Sequence, residues 1–105
     1  MKHYEQVVEK NPNYIMAHYF MGNVYNDRWA PGDWKLALQK YDAVKKLAPN
    51  YVQVHHQTGM VYLKLGEQAK RNNDTVKFKE YWDKAIHFFE IVSNTYSYPF
   101  GTNLF

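Results

Sequence analysis

The chain has no cysteine among its 105 residues, only five glycines and four prolines, and no sustained alternation of apolar and polar positions. Without thiols it has neither disulfides nor thiolate metal ligands, and the redox compartment stays open between cytoplasm and periplasm. No apolar run approaches the roughly 18 residues that a membrane-spanning helix needs, and Met1-Lys2-His3-Tyr4-Glu5 offers no signal-peptide core. The expectation is a chain that makes no membrane contact. Missing period-two patterning predicts no strands. Glycines stand singly, never in a phosphate-cradling cluster. Thirteen basic residues against ten acidic ones give a net charge of +3 spread along the chain, which makes nucleic acid an unexpected partner. What the chain does have is aromatic surface: ten Tyr, six Phe and three Trp, most of them expected in the core of one small domain.

The most informative positive feature is an internal echo. Tyr4, Val7, Pro12-Asn13-Tyr14, His18, Gly22 and Val24-Tyr25 recur 37 residues later as Tyr41, Val44, Pro49-Asn50-Tyr51, His55, Gly59 and Val61-Tyr62. A period of that size marks stacked helical units, each burying its apolar face against its neighbours. Such a chain serves as a surface for binding rather than a pocket for chemistry.

Turn residues divide the sequence into five helices. Asn11-Pro12-Asn13 and Ala48-Pro49-Asn50 each separate two apolar-periodic runs. The spacing predicts helices over about 2–10, 14–27 and 33–47, with Asp33 capping the third after the Pro31-Gly32 break. A fourth begins near Tyr51. Leu65-Gly66 resembles a stop, yet Glu67-Gln68-Ala69-Lys70-Arg71 favour helix, so Asn72-Asn73-Asp74 is the expected break. A last helix runs from Asp74 or Thr75 to about 94, with Phe78, Tyr81-Trp82, Ala85, Phe88-Phe89 and Val92 inward. Trp34 is also expected inward, which leaves Trp29, in a loop, as the tryptophan open to exposure.

These residues resemble the tetratricopeptide repeat, a helix-turn-helix unit of about 34 residues. His18-x-x-Met21-Gly22-x-x-Tyr25, then Ala37-x-x-x-Tyr41 and Pro49, matches one unit; His55-x-x-Thr58-Gly59-x-x-Tyr62, then Ala85-x-x-x-Phe89, matches a second. The resemblance implies an all-α fold: a right-handed α-solenoid of antiparallel helix hairpins, with a half repeat at 1–13, a repeat at 14–50 and a longer one at 51–98. Mid-helix glycine costs roughly 0.8–1 kcal/mol against alanine, so Gly22 and Gly59 should serve close approach of a facing helix. Ala37 and Ala85 supply a small residue on that helix, and Tyr41 and Phe89 fill the space beside it. Departures are His18 and His55 where tryptophan is usual, Thr58 where leucine is usual, about three extra residues near Trp29, and about fourteen extra around 66–80. An unpaired first helix and the aromatic end Tyr96-Ser97-Tyr98-Pro99-Phe100 suggest an excised piece of a larger protein, with self-association through the end helix or the aromatic tail.

The function implied is a protein-interaction module whose concave groove accepts a peptide segment or a partner domain. By resemblance the groove positions are Met16, Tyr19, Asn23 and Asn26 in the first full unit and Gln53, His56, Met60 and Lys64 in the second. The subset that grips chaperone C-terminal carboxylates is not matched: Asn23 fits, but Tyr19 stands where a lysine belongs and Gln57 where an asparagine belongs. A second reading is an accessory domain of a larger enzyme, such as a membrane glycosyltransferase or polysaccharide polymerase. Catalysis by the chain itself has no motif to support it, and neither cofactor nor metal is expected. His55 and His56 are adjacent and face apart, without H-E-x-x-H or a carboxylate–histidine cluster. Asp83 and His87 share a helix face with Glu80 and Lys84, a solvated charged surface. The basic stretch Lys64–Lys79 reads as a solvated helix tip, or as a contact for an acidic peptide.

Overall fold

A computed structural model describes residues 14–97 together with Glu5 and Gln6. Its described residues are helical and turn, with no strand: α1 (Ile15–Arg28), α2 (Asp33–Leu47), α3 (Val52–Arg71) and α4 (Thr75–Ser97). The all-helical expectation and the positions of these four helices hold to within a few residues. The expected first helix lies outside the described residues except for Glu5 and Gln6, which are helical, so four helices are described where five were expected. The aromatic tail beyond residue 97 also lies outside them. None of these helices is long and apolar enough to cross a membrane.

The chain divides into two compact units, 1–54 and 55–105. In the first, α1 and α2 form a hairpin whose core is Ala17, Tyr19, Met21, Tyr25, Ala37, Tyr41 and Val44. Trp29 ends α1 in the left-handed region (φ 53°), its N–H donating to the Tyr25 carbonyl at 3.0 Å. Such a backbone is uncommon for a bulky residue, and the loop is fastened from both sides. Arg28 donates from Nε and Nη2 to the two carboxylate oxygens of Asp33 at 2.8 and 3.0 Å, and the Ala30 N–H donates to Asp33 Oδ2 at 2.9 Å. Asp33 therefore closes the loop before α2 instead of capping the helix after it. Gly32 (φ 84°) takes the cap position.

In the second unit, α3 and α4 are joined by three residues only, 72–74. Asn73 adopts φ 58°, its N–H donating to Lys70 O at 3.1 Å while Asp74 N–H donates to Ala69 O at 2.8 Å. Those two bonds satisfy the last carbonyls of α3 in the paired Schellman arrangement, with Asn73 as its left-handed residue. Asp74 Oδ1 accepts from the Lys77 N–H at 3.0 Å, so the residue that ends one helix caps the next. The extra residues of this repeat do not make a loop. α3 runs twelve residues past Gly59, against six for α1 past Gly22; α4 starts ten residues before Ala85, against four for α2 before Ala37. Each helix is about 9 Å longer on its turn side.

One inward expectation is corrected. Trp82 is 40% exposed, because among the described α4 side chains only Ala85 is fully buried and the sector facing α3 is narrow; Phe78, Tyr81, Phe88, Phe89 and Val92 are half-buried around it. Trp29 and Trp34 are both half-buried.

Candidate functional site

The two glycines of the echo sit at the same kind of contact. A Cβ built on Gly22 would lie 2.5 Å from a ring carbon of Tyr41, and one built on Gly59 would lie 2.7 Å from a ring carbon of Phe89. Each glycine thus admits the aromatic that follows the small residue of the facing helix by four positions, and those small residues, Ala37 and Ala85, are themselves buried. A further recurrence was not legible beforehand. Three residues before each glycine an aromatic ring leans on the same partner: Tyr19 on Tyr41 (6.1 Å between centroids, 48°) and His56 on Phe89 (5.7 Å, 49°).

This geometry decides how accessible each candidate groove residue is. On α1, Met16 and Asn23 are half-buried. Tyr19 and Asn26 are buried, Tyr19 with its ring also against Phe20 and edge-on to Tyr51 at 5.2 Å. Asn23 accepts a 2.6 Å hydrogen bond at Oδ1 from the Tyr41 hydroxyl, a bond that leaves its amide nitrogen unused. Burial pushes the Tyr41 phenol well above its ordinary value. On α3, Gln53 and His56 are exposed, while Met60 and Lys64 are half-buried. His18 and His55, at the position where the repeat usually has tryptophan, both bury Nδ1.

The second unit carries one feature that the spacing alone hides. His55, Phe88, Tyr62 and Tyr81 form an alternating column between α3 and α4, with centroid separations of 6.2, 5.9 and 6.2 Å and interplanar angles of 16°, 7° and 26°. Residues seven apart on each of two antiparallel helices interleave this way. Lys84 Nζ lies 5.4 Å from the Tyr62 ring and Lys77 Nζ 5.9 Å from Tyr81, covering the column's edge with charge. The sequence signal was Tyr62 and Phe88 in register, visible only once the lengths of α3 and α4 are known.

On the basic stretch, Lys77 pairs with Glu80 at 3.6 Å, Lys79 pairs with Asp83 at 3.0 Å, and Lys70 Nζ lies 6.0 Å from the Phe78 ring. Asp83 is thus taken by Lys79, not by His87. Among the described residues no cluster of three or more His, Asp or Glu has the geometry to hold a metal ion. Comparison of the chain with protein-family models, with curated proteins and with solved structures gave no match.

Proposed function

We propose that this chain is a protein-interaction module of the tetratricopeptide kind, a right-handed stack of helix hairpins that holds an extended peptide segment or a partner domain against the faces of α1 and α3. The observation that carries the reading is the doubled contact, Gly22 on Tyr41 and Gly59 on Phe89, with Tyr19 and His56 leaning on the same two rings. Two hairpins that repeat a contact to within half an ångström and one degree of ring tilt are built to one plan, and such plans present surfaces rather than enclosed sites. The groove side chains that are not fully buried are Met16 and Asn23 on α1 and Gln53, His56, Met60 and Lys64 on α3. They offer two amides, an imidazole, a cation and two thioethers, a set suited to the carbonyls, carboxylates and apolar side chains of a peptide.

Binding to an array of extended peptides tests this, with Asn23→Ala, His56→Ala and Lys64→Ala compared on the best binders. Loss of about fivefold or more in at least one variant is the expected result, since a minority of contact residues carries most of such an interface. Unchanged binding in all three removes these faces as the site.

A further inference from the structure

One flank of α4, beside the sector that faces α3, carries an apolar stripe that is partly open to solvent. Phe78 and Trp82 touch at 5.6 Å, and Trp82 and Ile86, one turn apart, are 40% and 41% exposed. Charge along one flank is ordered. Lys79 lies toward the α3–α4 turn and Glu90 lies three turns further on, both exposed; eleven residues of helix return them to nearly the same azimuth. Between them Asp83 is held by Lys79 at 3.0 Å, whereas Glu90 makes no ion pair among the described residues.

From this pattern we propose that α4 pairs with α4 of a second copy of this chain, antiparallel, about a two-fold axis level with Lys84. That axis sets Trp82 of each copy against Ile86 of the other and brings Lys79 beside Phe89 and Glu90 of the other. The complementarity is what selects a second copy as occupant. An isologous interface must be self-complementary, and a stripe with a cation near one end and an anion near the other matches its own reverse. Parallel pairing would carry the two charged flanks to opposite sides of the seam, where Lys79 and Glu90 would not meet. Asp83 lies near the axis in both copies, and its bridge to Lys79 within each chain offsets the repulsion between the two. Peptide binding by α1 or α3 neither requires nor forbids this pairing.

The test is sedimentation or light scattering of the 105-residue chain across a concentration series, with Lys79→Glu, Glu90→Lys and the double variant. The wild type is expected to pass from monomer to dimer. Each single variant should weaken association by about fivefold, since the axis applies each exposed charge contact twice, and the double variant, which restores the opposite charges across the axis but lacks the Lys79–Asp83 bridge, should associate more tightly than the weaker single variant. Residues 79 and 90 are too far apart on one helix to compensate within a chain, so such a rescue reports contact between copies. Trp82→Glu, with helicity checked by circular dichroism, should hold the chain monomeric. A wild type that stays monomeric throughout, or a double variant no tighter than the weaker single one, overturns the proposal. So does a fully helical Trp82→Glu variant that still dimerises. Should Trp82→Glu lose its helicity, the charge exchange decides alone.

Discussion

A methyl group at Gly22 would stand 2.5 Å from a ring carbon of Tyr41, a side chain with no exposure at all, so neither partner has room to give. Gly22→Ala should therefore cost about 1–3 kcal/mol by overpacking despite the helix propensity that alanine adds. Gly59→Ala should cost less, because Phe89 is half-buried and its ring can shift. Gly66 is the control: a Cβ there meets its nearest neighbours at 3.7–3.9 Å, an ordinary contact, so Gly66→Ala should gain up to about 1 kcal/mol. Urea denaturation of the three variants gives the order directly. Tyr41 adds a pH signature. Its folded pKa is raised by burial, so its contribution is complete below the ordinary phenol value of about 10 and is lost as pH rises through the higher folded value. Tyr41→Phe should flatten the alkaline limb of the stability profile. That glycines 22 and 59 mark close approach was legible from their spacing; that an aromatic ring, more than an alanine, occupies the approach needed coordinates.

Elements here are held by their ends. Asp74 satisfies the first turn of α4, and Asp74→Ala should cost about 1 kcal/mol in thermal or chemical unfolding, most of it from α4. At the other turn, the Arg28 guanidinium holds the Asp33 carboxyl below the ordinary aspartate range, and Asp33 in turn raises Arg28. A depressed folded pKa means that this stabilisation is fully present above the ordinary aspartate value of about 4 and disappears as pH falls through the lower folded one. An acid titration followed by circular dichroism should show a shallower acid limb in Asp33→Asn. Helix boundaries were readable because Pro31-Gly32 and Asn72-Asn73-Asp74 are strong local signals. The role of Asp33 was not, since a residue before a helix can serve the loop behind it or the helix ahead, and only the reach of Arg28 decides which. Trp82 was misplaced for a related reason: helical spacing assigns a face, but how wide a face is buried depends on how much of the neighbouring helix covers it.

At the scale of the molecule the chain is two compact units with matching internal contacts. Hydrogen exchange should reflect that division. Gly22→Ala is expected to lower protection first in 15–47, and Gly59→Ala first in 55–97, before either affects the other unit; uniform loss across the chain in both variants would show a single cooperative block. Much of the fold was legible because the echo places the same residue types at the same offsets. The site was legible only as positions on faces, since Tyr19 and His56 are equivalent in register yet one is buried and the other exposed.

The longer hairpin gained its length equally on both sides, six residues to α3 and six to α4 beyond their counterparts in the shorter one. Growth of that kind is like adding matched rungs to a ladder: spacing along each rail is kept, so the stacked rings from His55 to Tyr81 stay in step. An addition to one rail alone would throw every rung above it out of line. Arm length in this protein is therefore adjustable in matched increments, and a designer could reset the reach of the hairpin without rewriting the contacts at its base.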